Sequence, residues 1–353
     1  MVLLVLSVPC MMGASDLTES VKLEAEFQNE SHPYIRAYIQ ERGRIADEDS
    51  ILNNSEQRAY DMELMKEFYR EDIKVASIIQ KYQPEMKLMN ITEKATSLNK
   101  ENISELLDRV VAIYDTATEE EQELLFSYMG RCVDNCGSED AVDFFYETAK
   151  NAAEQTRGLY TINVNNAVNY AITWSARNDA TGYKAYNTAL YPCMDTIPGN
   201  GDCTNFASQC LKAGGIPFFL DWYCNKKNNS YPYPTSTAQL NASWSLADPS
   251  PFISAQQFYN FWLSRSDHVY YTKSYYINNR ADVFNSAAGR GSVAMITSGT
   301  TLYMWPVHAT FITGYSGTDF LYSAHSNHRT NASLTLALQS DSNYSGVRFF
   351  MFT

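Results

Sequence analysis

The stretch NGDCTNFASQCLKAGG, residues 200–215, decides the fold of this chain. It predicts a helix that begins at Cys203 after a Gly–Asp turn and ends at Gly214-Gly215, where glycine accepts the left-handed conformation. One helix face carries the residues expected to meet a core, Cys203, Phe206, Ala207 and Cys210. Unpaired N–H groups and the positive end of the helix dipole favour a thiolate at Cys203. The cysteine is therefore either a nucleophile or a small buried residue that starts a core helix.

The C-terminal part of the chain supplies possible partners for this thiol. Five histidines occur in 353 residues, and three of them are close to the C-terminus, His308, His325 and His328. His308 and His325 lie in β-rich runs on either side of a turn at residues 315–318, which predicts a β-hairpin. A neutral His308 would take the thiol proton, and His325 would fix the orientation of its ring. The alternatives are two structural histidines, or a zinc site, although the spacing of Cys203, His308 and His325 matches no known zinc cluster.

Several other segments complete a recognisable pattern. They are Tyr160 to Trp174, Asp202 to Pro217, Trp222-Tyr223, Ser243-Trp244, His308, and Ala324-His325-Ser326 followed by Arg329, Asn331 and Leu334. In these segments, residues 158–353 resemble the bacterial putative amidase domain, which is similar to the papain-like NlpC and CHAP cell-wall amidases. The resemblance implies an α+β, papain-like fold in which the catalytic helix packs on an antiparallel sheet. No cofactor and no metal are predicted.

The resemblance also implies a site and a reaction. Cys203 would be the nucleophile, His308 the base and His325 the third catalytic residue, and the substrate would be an amide bond, most simply in peptidoglycan. Two positions depart from the family pattern: Gly291-Ser292 replaces a Gly–Asp pair, and His328 stands where an Asp is usual. The third catalytic position therefore stays open among His325, Asn327 and His328.

Other residues near the candidate nucleophile are expected to support it. Asp202 and Asn205 flank Cys203 and would hold its geometry, while the backbone N–H of Cys203 is the natural donor to an oxyanion. Aromatic residues set among Asn, Ser and Pro predict loops that contact substrate, namely Trp222, Tyr223 and Trp244. The alternative for these aromatics is that they fill the core.

The distribution of charge predicts two domains. Asp and Glu outnumber Lys and Arg by 31 to 15 in residues 1–155, whereas residues 156–353 hold 9 against 12 and no Glu. We therefore expect an acidic, mostly helical domain over residues 16–155 and the amidase domain over residues 156–353. The acidic N-terminal half disfavours nucleic acid or an anionic lipid as its partner. The partner that the family resemblance implies is peptidoglycan or a peptide.

The first 15 residues resemble an export signal. An apolar run at residues 2–8 is too short to span a membrane, and Gly13-Ala14-Ser15 offers small residues for cleavage. A basic segment before the apolar run is missing, so an apolar tail is the alternative. No integral membrane span is predicted, and the protein is expected to be secreted or attached to a bacterial cell surface.

The N-terminal half shows helical periodicity and no catalytic constellation. Apolar spacing predicts helices at residues 57–83 and 102–115, and a capping box at Thr118 and the Ser138-Glu139 pair predict two more. Residues 33–39 predict a short strand. Cys132 and Cys136 are expected in a turn.

Two other functions compete with a peptidoglycan amidase. One is a cysteine peptidase or transamidase that acts on protein, and the other is a non-catalytic module for cell-wall binding or adhesion. The intact set of one cysteine and two histidines favours an enzyme.

Overall fold

The fold combines helices in the first half of the chain with antiparallel sheets in the second half. A computed structural model describes residues 55–95, 99–156, 160–175, 186–286, 288–299, 302–326 and 328–352. The predicted export signal, the predicted strand at residues 33–39 and the candidate Asn327 lie outside these described residues. The α+β class predicted from the sequence is confirmed.

The first half of the chain forms amphipathic helices. They are α1 (Ser55–Tyr82), α2 (Leu88–Ala95), α3 (Lys100–Ile113), α4 (Glu119–Cys136) and α5 (Glu139–Thr156). The capping box is confirmed, since the Thr118 side chain accepts from the Glu121 N–H and the Glu121 carboxylate accepts from the Thr118 N–H. The turn expected at Cys132 and Cys136 is wrong. Both cysteines lie in α4, where they are buried with Val133 in the core, and the helix ends only before Gly137.

The second half begins with two helices and continues with strands. Its elements are α6 (Val164–Ser175), α7 (Cys203–Gly214), β1 (Cys224–Lys226), α8 (Thr237–Ser243), β2 (Trp244–Leu246), α9 (Ala255–Leu263), β3 (Asp267–Thr272), α10 (Lys273–Ser286), β4 (Val293–Gly299), β5 (Met304–Tyr315), β6 (Phe320–Ala324), β7 (Arg329–Ser333), α11 (Leu334–Gln339) and β8 (Tyr344–Met351). Six strands form one antiparallel sheet in the order β3-β8-β4-β5-β6-β7, and β1 pairs with β2. The predicted hairpin is confirmed as β5 and β6.

Helices cover both faces of the six-stranded sheet. On one face, α6, α7 and α9 contact β5, and Ala309 and Phe311 point into the core on that side. On the other face, α10 and α11 pack over a second apolar cluster that includes Ile296 and Ile312. Strand β4 is buried along its whole length because both of its faces are covered.

The helical half and the sheet half share one hydrophobic core. Tyr259 on α9 donates a hydrogen bond to the Gly130 carbonyl of α4 at 3.1 Å. Arg348 on β8 forms a buried ion pair with Asp134 of α4. The division into domains near residue 155 stays a prediction, but these contacts cross it. In the part of the chain that the structure describes, no helix has the length and apolar character needed to cross a membrane.

Candidate active site

Helix α7 places Cys203 at its first position, against the sheet. The helix ends as the sequence predicts, because Gly215 adopts φ 116° and its N–H bonds to the carbonyls of Leu211 and Lys212. At the other end, Asp202 is the N-cap residue, but its side chain does not bond to the N–H groups of α7. Its Oδ1 atom accepts instead from the Met194 N–H at 2.7 Å and from the Asn205 amide at 2.8 Å. Asp202 therefore ties the preceding loop to the first turn of the helix.

The Cys203 thiol is nearly buried, with 8% of the residue exposed. Burial raises the pKa of this thiol above its ordinary value; the N–H of Ala309 on β5 and the Thr204 hydroxyl lower it, while the charge of Asp202 raises it further. The expectation of a thiolate at neutral pH is therefore corrected. Burial is the largest of these effects, and the pKa of the Cys203 thiol is raised on balance.

His308 lies on β5, next to the backbone that contacts Cys203. His308 pairs with Ile296 of β4. The next residue of β4, Thr297, pairs with Pro306, so Val307 is the extra residue of a β-bulge in β5. The ring is half-buried, and burial lowers the pKa of His308 to about 4. Among the described residues, no hydrogen bond joins the Cys203 sulfur to the ring of His308; the sulfur bonds to Thr204 Oγ1 at 3.8 Å.

His325 binds Asp202 rather than His308. Its Nδ1 lies 2.5 Å from Asp202 Oδ2, and its Nε2 lies 2.6 Å from the carbonyl oxygen of Trp174 at the end of α6. The ring also packs on Phe206 of α7, with 4.2 Å between the ring centroids. A neutral imidazole has one N–H, so both contacts are hydrogen bonds only when the ring carries two protons or Asp202 carries one.

The register of the hairpin explains why the two histidines do not meet. Phe311 pairs with Ser323, and extending this pairing puts His325 opposite Ala309 rather than His308. Neighbouring residues of a strand point to opposite faces, so His325 lies on the face covered by α7. The expectation that His325 orients the His308 ring is therefore corrected: the structure places His325 under α7, bonded to Asp202.

A polar network around Asp195 surrounds the Asp202–His325 pair. Asp195 Oδ1 accepts from the Asp202 N–H at 2.9 Å and from Ser326 Oγ at 2.6 Å. Tyr186 donates to Asp195 and lies 3.2 Å from His328 Nε2. His328, the rival for the third catalytic position, thus belongs to this network. Sequence reasoning missed Asp195 and Tyr186, which fall in no motif; their only signal is that both precede Cys203 by fewer than 20 residues.

The aromatic residues expected to contact substrate are mostly core residues. Trp222 is fully buried and packs on Phe252 and Trp262, with ring centroids 5.1 Å and 5.6 Å away. Trp244 is 1% exposed. The substrate-binding expectation is corrected for these two tryptophans, because neither ring has a face open to a ligand. Tyr223 is half-buried and remains a candidate for contact with substrate.

A pocket of about 300 Å³ opens beside His308, on the sheet face away from α7. Its walls combine apolar and polar side chains and are formed by Ile296, His308, Tyr322, Arg329, Ala332, Ser333, Leu336, Ala337, Ser340 and Tyr344. In the described part of the chain, no three His, Cys, Asp or Glu side chains form a group that could hold a metal ion.

This geometry defines an α+β protein with a cysteine at a helix N-terminus beside a strand that carries a histidine. The family model of the putative amidase domain matches residues 161–349, more than half of the chain. The chain therefore belongs to the putative amidase domain family. No curated protein matches the sequence, and no solved structure matches it.

Proposed function

We propose that this protein is an exported cysteine amidase with a papain-like domain over residues 156–353, and that it hydrolyses an amide bond in peptidoglycan. One observation carries the chemistry: Cys203 begins α7 and contacts the backbone of β5 at Ala309, the residue after His308. Membership of the amidase family supports the reaction class. The family resemblance and the signal-like N-terminus support peptidoglycan and export.

The raised pKa of Cys203 and the lowered pKa of His308 favour proton transfer during attack over a preformed ion pair. The Cys203 sulfur bonds to the amide carbonyl carbon while His308 takes the thiol proton. The C–N bond then breaks as His308 returns this proton to the leaving nitrogen, which leaves a thioester. Water next loses a proton to His308 as its oxygen bonds to the carbonyl carbon. The C–S bond breaks, and the sulfur recovers the proton.

Other residues have positioning roles in this proposal. The backbone N–H of Cys203 points from the start of a helix, so it is the donor that stabilises the oxyanion of each tetrahedral intermediate. Asp202, Asn205 and His325 hold the first turn of α7 through the bonds described above. The His308 ring lines the pocket on the sheet face away from α7, so this proposal requires the ring to turn toward Cys203 when substrate binds.

The test is to incubate the protein with purified peptidoglycan and with protein substrates, and to identify new termini by mass spectrometry. We expect the wild type to release a free amine and a carboxylate from peptidoglycan, and Cys203→Ala to release neither. Cys210→Ala is the matched control, because Cys210 is fully buried on the same helix, about two turns beyond Cys203. Cleavage of protein alone would favour the peptidase or transamidase. Equal activity in wild type and Cys203→Ala would refute cysteine catalysis.

A further inference from the structure

Two exposed tyrosines lie in the loop that follows β1. Tyr231 and Tyr233 belong to the sequence Tyr-Pro-Tyr-Pro at residues 231–234, which we call the tyrosine segment. Their exposed fractions are 39% and 50%, whereas Trp222 and Trp244 are buried. Among the residues that the structure describes, neither tyrosine ring contacts another aromatic ring, and neither hydroxyl has a hydrogen-bond partner. Both rings are therefore available to a ligand.

The backbone of the tyrosine segment is fixed without the use of either tyrosine side chain. The Tyr231 carbonyl accepts from the indole N–H of Trp244 at 3.3 Å, and the Tyr231 N–H donates to Ser243 Oγ at 3.0 Å. Pro232 and Pro234 restrict the backbone further, because the proline ring fixes φ. A surface that is already ordered loses less conformational entropy when a ligand binds. Trp244 thus supports the tyrosine segment from the core.

The tyrosine segment is also bonded to the loop that precedes α7. The carbonyls of its two prolines accept from the Cys193 N–H at 3.3 Å and from the Thr196 hydroxyl at 2.8 Å. Two further bonds, at 2.7 Å and 2.9 Å, tie the loop at residues 193–196 to Asp202, the residue before Cys203. A ligand on the two tyrosines would therefore lie on the side of the molecule where α7 begins.

The chain around the tyrosine segment is polar and uncharged. Residues 228–247 contain no Asp, Glu, Lys, Arg or His. Asn229 and Thr235 are exposed beside the tyrosines. The preceding cations, Lys226 and Lys227, donate to backbone carbonyls at 2.9 Å. Amide and hydroxyl groups next to two aromatic rings suit a neutral ligand that is rich in hydroxyl groups.

We propose that the tyrosine segment binds the glycan strand of peptidoglycan through Tyr231 and Tyr233. This inference rests on the proposed function and adds the part of the substrate that is recognised, a chain of neutral pyranose rings. The C–H groups on one face of a pyranose ring meet the negative face of an aromatic ring. Hydroxyl groups at the edge of the sugar find donors and acceptors in side chains such as Asn229 and Thr235. A charged peptide would meet no opposite charge in this segment.

The test measures binding of chitotetraose, a soluble chain of β-1,4-linked N-acetylglucosamine, by isothermal titration calorimetry. The full chain with Cys203→Ala is the parent protein, so that no turnover occurs. Tyr231→Ala and Tyr233→Ala should each raise Kd by about two- to tenfold, as expected for the loss of one stacked ring. The double change should abolish measurable binding. Tyr231→Phe and Tyr233→Phe keep the ring and should stay within about twofold of the parent.

Tyr275→Ala is the matched control. Tyr275 has a similar exposed fraction of 51%, but it lies on α10, where its ring stacks on Tyr271 with 5.3 Å between the centroids. This change should leave the Kd of chitotetraose unchanged. Because all three substituted tyrosines are exposed, every variant should keep the urea midpoint of the parent, so that a loss of binding is not a loss of fold.

Three outcomes overturn the proposal. The first is that the parent does not bind chitotetraose. The second is that the double change leaves binding intact, or that the Phe variants bind as weakly as the Ala variants. The third is that a stem peptide without glycan binds instead, and that its binding depends on both tyrosines; the segment would then recognise peptide.

Turnover measurements separate this proposal from the proposed function. Wild type and the double tyrosine variant are compared on intact peptidoglycan and on a stem peptide without glycan. We expect the double change to lower kcat/KM more on peptidoglycan than on the peptide, because only peptidoglycan has a glycan strand. Chitotetraose binding without any turnover by wild type would refute the amidase and leave the glycan site standing. Turnover of peptidoglycan without chitotetraose binding would refute the glycan site alone.

Discussion

The buried pair of Asp202 and His325 provides a direct test of how α7 is held against the sheet. Both side chains are fully buried, and Asp202 Oδ2 lies 2.5 Å from His325 Nδ1. The other carboxylate oxygen accepts from the Met194 N–H and from the Asn205 amide, at 2.7 Å and 2.8 Å. The change Asp202→Ala removes the acceptor of three buried donors at once.

The expected loss follows from these contacts. Leaving a buried hydrogen-bonding group without its partner costs about 1–3 kcal/mol, and Asp202→Ala does this to the Met194 N–H and to His325. The Asn205 amide keeps the Pro192 carbonyl at 2.8 Å, so its lost bond adds little. We therefore expect Asp202→Ala to lower the free energy of unfolding by about 4 kcal/mol. Asp202→Asn should cost only about 1–2 kcal/mol, because the amide keeps an acceptor for the Met194 N–H and a group that can bond to His325 Nδ1.

The assay is urea unfolding followed by circular dichroism, with the midpoint and slope fitted for each variant. A double-mutant cycle of Asp202→Ala and His325→Ala should show a coupling energy of about 1–3 kcal/mol. Asp221→Ala is the control, because Asp221 is exposed, and it should leave stability within about 0.5 kcal/mol of wild type. A cost of Asp202→Ala as small as that of the control, or additive single changes, would refute the reasoning.

Four other predictions follow from burial and charge. Because burial lowers the pKa of His308 to about 4, kcat/KM should fall only as pH drops through about 4, and a fall near the ordinary 6.5 would contradict this. Between pH 6.5 and 4, His308 binds a proton in the unfolded chain and not in the folded chain, so the free energy of unfolding should decrease as pH falls through this window. The decrease should be smaller in His308→Gln, which lacks this proton-binding group. Asp134→Ala leaves the buried Arg348 without its carboxylate and should lower the free energy of unfolding in urea by about 3–5 kcal/mol. The control Glu123→Ala changes a side chain that is 72% exposed and should cost less than about 0.5 kcal/mol. Similar costs for the two variants would contradict the buried pair. Iodoacetamide should label Cys203 before Cys210 by mass spectrometry, because Cys210 is fully buried with a pKa raised further, and equal rates would count against the geometry.

Local sequence signals were sufficient for the elements that carry the site. The helix from Cys203 to Gly214 depends on a glycine stop and an apolar face within the same dozen residues. The capping box at Thr118 and the hairpin of β5 and β6 likewise depend on residues that are close together in the sequence. The candidate nucleophile and base were identified from these segments together with a family resemblance, because residue type and chain order are properties of the sequence.

Only the tertiary structure decided the partners and the environments. Whether His325 meets His308 or Asp202 depends on strand register and on the packing of α6, since the bonded groups, Asp202 and Trp174, lie 123 and 151 residues away in the chain. The pKa of Cys203 depends on how deeply the fold buries the thiol, and this burial raises the pKa above its ordinary value. The burial of Trp222 likewise depends on its neighbours in space. The sequence alone does not distinguish an aromatic residue of a core from one in a loop that contacts substrate.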